Sequence, residues 1–194
     1  LQSGNGVFRY CNGDHYAGQF SSGKYHGHGV LKRGHFNSSV ASIYVGNFVH
    51  GVRSGYGVLD DVANGQKYLG LWSDDKKNGL GLLVTLDGNF YEGLFTQDLL
   101  SGQGSVIFED GSHYKGELKG LNGPAGKGAL YIGNRILEGN LGGTWDNIKI
   151  TGTLQNLNEE SDQSVIYNQS STSNRKFSET HKWDIIFQQY YTQL

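Results

Sequence analysis

Aromatic and glycine positions alternate along this chain with a spacing that suits extended backbone. The unit Tyr-x-Gly-x-(Phe, Trp or Leu) occurs as Tyr16-Gly18-Phe20, Tyr44-Gly46-Phe48, Tyr68-Gly70-Trp72, Tyr91-Gly93-Phe95 and Tyr114-Gly116-Leu118. Residues i, i+2 and i+4 of a strand share a face, so each unit shows large, absent, large on one side. Eleven or twelve residues after each tyrosine stands Gly-x-Gly: Gly27 and Gly29, Gly55 and Gly57, Gly79 and Gly81, Gly102 and Gly104, Gly126 and Gly128. The starts lie 28, 24, 23 and 23 residues apart, which is the period of a repeat array. Gly4-Asn5-Gly6 is a degenerate start, and Leu137-Glu138-Gly139-Asn140-Leu141 continues the period with leucines for the aromatics. Between units come Asn12-Gly13, Asn64-Gly65, Asp87-Gly88 and Asp110-Gly111, pairs that favour tight turns. The pattern predicts an all-β chain: a single-layer, elongated antiparallel sheet of hairpins over residues 1–154. About twelve strands at ~4.8 Å each make a ribbon roughly 55 Å long. Rings of neighbouring strands are expected to lie flat in the gaps left by both glycines of each Gly-x-Gly.

The texture changes after Thr153. Residues 155–177, rich in Asn, Gln, Ser, Asp and Glu, read as a polar connector. Residues 178–194 read as an amphipathic helix, with Trp183, Ile186, Phe187, Tyr190, Tyr191 and Leu194 on one stripe and Ser178 or Thr180 as N-cap. That stripe must be buried, against this sheet or against a further domain or chain. A landing site is available on the face opposite the motif residues, where Leu69, Leu71, Leu80, Leu82, Val84 and Leu94 form an apolar patch. The aromatic face, with Tyr44, Phe48, Tyr68, Trp72, Tyr91 and Phe95, is a second candidate surface, although those rings also have to build the repeat core.

Composition sharpens this picture. The 194 residues include 31 glycines, against roughly 14 expected at about 7%, and a single proline. Few prolines suit interior strands that must donate hydrogen bonds on both sides. Twelve Tyr, nine Phe and three Trp argue against disorder. The formal charge of −2 gives no field for nucleic acid, and no apolar run approaches the roughly 18 residues of a membrane span. Cys11 stands alone, so no internal disulfide is expected. With no methionine, the sequence is expected to be a piece of a longer chain.

Catalytic readings fail on their own requirements. Gly18 to Lys24 matches most of a phosphate loop, but Tyr25 replaces the Ser or Thr and the segment joins two strands. The Gly-x-Gly pairs lack the third glycine of a dinucleotide fingerprint. His26 and His28 have no Cys or carboxylate at zinc spacing, and the pairs Asp60-Asp61, Asp74-Asp75 and Glu159-Glu160 diverge in a strand, which suits turns or rims. No nucleophile, base and orienting partner can be nominated. The expectation is a non-enzymatic chain without cofactor or metal.

The five registered units resemble the MORN repeat (membrane occupation and recognition nexus), over residues 4 to about 141. A closer likeness is carried by Gly27-His28-Gly29-Val30-Leu31, Tyr56-Gly57-Val58-Leu59-Asp60-Asp61, Lys67 to Asp75 and Ile148 to Thr153. These segments are similar to the MORN region of a multidomain guanine-nucleotide exchange factor for Rab- and Rho-family GTPases. The resemblance implies a cytoplasmic protein, peripheral on early endosomes, whose exchange domains lie outside this region. It implies a Rab-family GTPase as partner, directly or through the attached exchange domain, and self-association as a homodimer or higher oligomer. The alternative function is phosphoinositide or membrane binding.

Overall fold

The computed structural model describes residues 3–34, 41–156, 159–161 and 166–168. The expected helix of residues 178–194, with Trp183, Ile186, Phe187, Tyr190 and Tyr191, lies outside them. The described chain is one open antiparallel sheet in which each strand pairs with the next. Its first seven strands are β1 (Gly4–Arg9), β2 (His15–Ser21), β3 (Lys24–Arg33), β4 (Ser42–Val49), β5 (Val52–Asp61), β6 (Gln66–Ser73) and β7 (Lys76–Thr85). They are followed by β8 (Phe90–Thr96), β9 (Leu99–Ile107), β10 (His113–Lys119), β11 (Pro124–Ile132), β12 (Arg135–Thr144) and β13 (Asn147–Asn156). Two three-residue strands, β14 (Glu159–Ser161) and β15 (Ile166–Asn168), both pair with β13 within the stretch read from sequence as a connector. Thirteen full strands therefore replace the expected twelve, because the sequence beyond the last motif copy still keeps the period.

Glycine organises the pairing. Gly6, Gly18, Gly29, Gly46, Gly57, Gly70, Gly81, Gly93, Gly104, Gly116, Gly128, Gly139 and Gly152 are successive partners, one from each strand from β1 to β13. A row without side chains thus crosses the whole sheet. Beside it runs a row of large residues, including Tyr16, Leu31, Tyr44, Leu59, Tyr68, Leu83, Tyr91, Val106, Tyr114 and Leu130. Four of its tyrosines lean across the glycine row. Tyr16, Tyr44, Tyr68 and Tyr114 roof Gly29, Gly57, Gly81 and Gly128 on the following strand. A methyl at Gly81 would sit 2.5 Å from Cε2 and 2.6 Å from Cζ of Tyr68, closer than carbon atoms approach.

Each of these four rings is fixed at its far end as well. The hydroxyl donates to the carbonyl three residues on: Tyr16 to Gln19 at 2.8 Å, Tyr44 to Asn47 at 3.1 Å, Tyr68 to Leu71 at 2.9 Å and Tyr114 to Glu117 at 3.0 Å. The bond satisfies the polar end of a ring whose body is buried. Just after their motif glycine, the tyrosine-bearing strands shift register against their own partners, as between Gly70 and Trp72 on β6. The third motif residue then packs edge to face, with Tyr44–Trp72 centroids at 5.4 Å, Tyr68–Trp72 at 5.2 Å and Tyr68–Phe95 at 5.1 Å.

Only the second glycine of Gly-x-Gly receives a ring, which corrects the sequence expectation that both do. Gly55, the first of its pair, has φ +77° and faces the Asn47 side chain. Its role is backbone conformation at the register shift, not space. The fourth repeat also departs from the scheme. Leu100 Cδ1 occupies the place beside Gly93, and the Tyr91 hydroxyl donates instead to the Leu121 carbonyl at 3.1 Å. That carbonyl also accepts from Trp145 Nε1 at 2.7 Å, so one turn ties β8 to the β12–β13 turn.

The turns follow the sequence closely. Gly13, Gly65, Gly88 and Gly111 all take positive φ, as their Asn-Gly and Asp-Gly pairs require. At the opposite rim, each turn donates to the hairpin before it: Gly51 N to Tyr25 O at 2.9 Å, Asp75 N to Arg53 O at 3.1 Å, Asp98 N to Lys77 O at 3.0 Å and Gly120 N to Leu100 O at 2.7 Å.

Gly81→Ala is expected to cost about 3 kcal/mol in denaturant unfolding, by forcing Tyr68 off its seat. Gly142→Ala, with open space around it and no positive φ, should change stability by less than about 0.5 kcal/mol. Burial also pushes the phenols of Tyr16 and Tyr114 up to about 12, and raises Tyr44 and Tyr68 further. The unfolded chain ionises near pH 10, so the native state holds more protons above that value and stability falls there. Stability should be level up to about pH 9 and fall between about pH 10 and 12. Tyrosinate absorbance of these residues should rise together with loss of β-sheet ellipticity.

Candidate partner-binding surface

The motif residues build the core. Tyr44, Phe48, Tyr68, Trp72, Tyr91 and Phe95 are all buried on the front face and contact one another, so their rings are committed to holding strands together. Arg53 covers part of this face. Its guanidinium lies 4.1 Å from the Trp72 ring centroid, Nε donates to Asp75 Oδ1 at 2.9 Å, and an Nη donates to the Asp75 carbonyl at 2.8 Å. Lys77 has a similar place over Tyr68, at 5.3 Å, and burial lowers the pKa of its ammonium. The neighbouring turn residue Asp98 accepts from Lys77 N at 2.9 Å and pairs with Lys76 Nζ at 2.8 Å. Asp74-Asp75 and Asp98 are thus rim and turn residues; all three have positive φ.

The back face has a different character along its length. Beside the glycine row, partners run Val30, Val45, Val58, Leu69 and Leu82, then change to Glu92, Ser105 and Lys115. The next row over places Tyr56 opposite Leu71 and Leu80 opposite Leu94. Pairing therefore brings together the patch expected from sequence. Leu69, Leu71, Leu82 and Val84 are half-buried, whereas Leu80 is 67% exposed, Leu94 47% and Tyr56 68%. Leu80 also lines one end of an open groove of about 940 Å³ on the same face. The rest of the groove is mixed: bare glycine backbone, Ala129 and Tyr131 lie among Glu92, Ser105, Lys115, Lys127 and Glu138. An apolar landing next to a trough that carries charges of both signs can seat an extended or helical segment with two or three apolar anchors and a polar continuation.

The described histidines form no ligand set. His26 and His50 rings are 5.7 Å apart, and His28 Nδ1 meets Asn47 Oδ1 at 3.2 Å. No group of three or more His, Cys, Asp or Glu is placed to hold a metal ion among the described residues. Sequence reasoning missed Arg53 and the Tyr91–Leu121–Trp145 junction. Arg53, Leu121 and Trp145 stand outside the motif, and the carbonyl that joins the junction carries no side-chain signal.

A meandering sheet stitched by Tyr-over-Gly contacts is a MORN-repeat architecture, and the MORN repeat family matches residues 1–15, 16–34, 44–65, 68–90 and 91–113; the chain belongs to that family. Among curated proteins it is similar to alsin. Rat alsin is 39% identical over 98% of this chain, human alsin 38% over 98%, and the Drosophila melanogaster alsin homolog 41% over 78%. The chain spans 12% of the length of the rat and human proteins. Among solved structures, the SAS-4 TCP domain of Drosophila aligns with 85% of this chain and 84% of its own at 14% identity and a TM-score of 0.42.

Replacing Arg53 by Lys keeps the charge but removes the planar fork and its stacking on Trp72. We expect Arg53→Lys to lose about 1–2 kcal/mol in denaturant unfolding, and a double-mutant cycle with Asp75→Asn to show that most of this is shared with Asp75.

Proposed function

We propose that this chain is a non-catalytic interaction module of an alsin-like guanine-nucleotide exchange factor. Its back face receives an amphipathic polypeptide segment and so helps the attached exchange domain to engage a Rab-family GTPase at early endosomes; the same face serves self-association of the factor. The exposure of Leu80, which lines the groove, and of Leu94 and Tyr56 on the same face carries this reading. Front-face rings are spent on the fold, whereas these back-face groups are exposed and lie on neighbouring strands of one face. The likeness to alsin supports the setting. The phosphoinositide alternative draws less support, because the groove's two lysines, Lys115 and Lys127, are balanced by Glu92 and Glu138 and fall short of a basic cluster.

Leu80→Glu with Leu94→Glu should leave the unfolding midpoint unchanged. In calorimetric titration against Rab GTPases in each nucleotide state, with the parent factor, it should weaken binding about tenfold or more. Unchanged affinity and unchanged nucleotide exchange would overturn the reading. Hydrogen exchange in β6–β8 identifies the competing occupant: if deletion of residues 178–194 removes protection there, the face is filled by the chain's own terminal segment.

A further inference from the structure

The back-face groove runs across the strands, along the glycine row, from Leu80 on β7 to Asn140 on β12. Its floor is the backbone of successive glycines from Gly93 to Gly139. One flank carries Glu92, Lys115 and Glu138; the other carries Leu80, Lys127 and Asn140. Same-face neighbours on a strand are two residues, or about 7 Å, apart, so the floor is too narrow for a helix about 10 Å across. An extended segment fits. Charge is placed along this trough in a fixed order. Lys115 stands opposite Ala129, and Lys127 precedes Ala129 by two residues, so the lysines face each other diagonally across the glycine row with backbones roughly 8 Å apart. Both are exposed and, among the described residues, neither has an ion-pair partner. Glu92 and Glu138 lie two strands to either side of Lys115, roughly 10 Å away and too far to pair with it. A positive centre thus sits between two negative flanks, and the exposed pair Leu80 and Leu94 stands three strands before it.

We propose that the trough takes an extended segment of a partner protein with the order apolar-x-x-x-(Asp or Glu)-x-(Lys or Arg), read from β7 towards β12 in either chain direction. This rests on the interaction reading above and gives its segment a chemistry. Three strands span ~14 Å, the length of four extended residues at ~3.4 Å each. With its apolar side chain on Leu80 and Leu94, the segment therefore sets its acidic side chain between Lys115 and Lys127. Two residues further, about 7 Å on, its basic group reaches Glu138. All three side chains stand at even spacing, so they point to one side of the segment, into the trough. The leucines supply burial, and the charges supply selection: a basic residue at the centre would meet two lysines and be rejected.

The test is selection of random linear peptides, displayed on phage, against the 194-residue chain. Enriched peptides should carry apolar, acidic and basic residues at this spacing and compete with one another for one site. For such a peptide, Lys115→Glu with Lys127→Glu in the chain should weaken binding about tenfold or more in calorimetric titration. Exchanging the peptide's acidic residue for lysine should restore binding to that variant, which also shows that the variant is folded. Lys24→Glu with Lys32→Glu, the same change of charge on β3, should bind the original peptide as the parent chain does. Selection of no peptide, selection of peptides without the acidic residue, or equal binding by the Lys115→Glu, Lys127→Glu chain overturns the proposal. In those cases peptides that still lose affinity on Leu80→Glu with Leu94→Glu leave the broader interaction reading standing, and peptides indifferent to both changes remove it too. Flotation with phosphoinositide vesicles that requires Lys115 and Lys127 and is undiminished by the peptides overturns the proposal and gives the lysines to a lipid headgroup. A chain dimer that Lys115→Glu with Lys127→Glu dissociates and the peptides fail to displace overturns it in favour of a second copy.

Discussion

The fold depends on one contact: a tyrosine ring lying across the bare backbone of a glycine on the next strand. A single-layer sheet has no second sheet or helix to bury its apolar face, and a face left wet would lose most of the hydrophobic stabilisation that sheets rely on. Here the missing layer is made from the side chains themselves. Flat rings over glycine, with a second aromatic edge-on against them, close one face to water within the thickness of the sheet. The hydroxyl bond to the carbonyl three residues on holds each ring in that orientation and removes the cost of burying its polar end.

That contact explains how the two faces come to differ. Because the front is consumed by packing, side chains between motif positions are free to vary with the purpose of each region. Over the middle strands they are leucine and valine; farther along they become Glu92, Ser105, Lys115 and Lys127. The repeat thus separates the residues that fold the chain from those that select what touches it. This arrangement lets one scaffold present different surfaces along its length.

Most of the architecture was legible in the sequence because the alternation of large and absent side chains states face, partner and spacing together. Asn-Gly and Asp-Gly pairs marked the turns for the same reason: their backbone needs positive φ. The back-face patch was legible too, since strand alternation puts Leu80 and Leu94 on one side, although only the pairing register sets them opposite each other. What could not be read was carried by backbone groups or by local shifts of register. The two glycines of Gly55-Tyr56-Gly57 look alike in sequence, yet one allows a bend and the other makes room. Tyr91 bears the same motif as its siblings but turns away: Leu118 Cδ1 lies over Gly104, the glycine its ring would roof, and Leu100 Cδ1 lies beside Gly93.

The departure of Tyr91 changes how the molecule would answer to tension. In a meander, each hairpin holds only its neighbours, so a pull on the chain ends peels strands away in succession like a zip fastener. The Leu121 carbonyl, gripped at once by Tyr91 and Trp145, fastens hairpins that are not adjacent. Peeling from the β13 end must break this clasp before it can travel inward. Strands β8 to β13 would therefore yield as a block, while the earlier hairpins would detach singly.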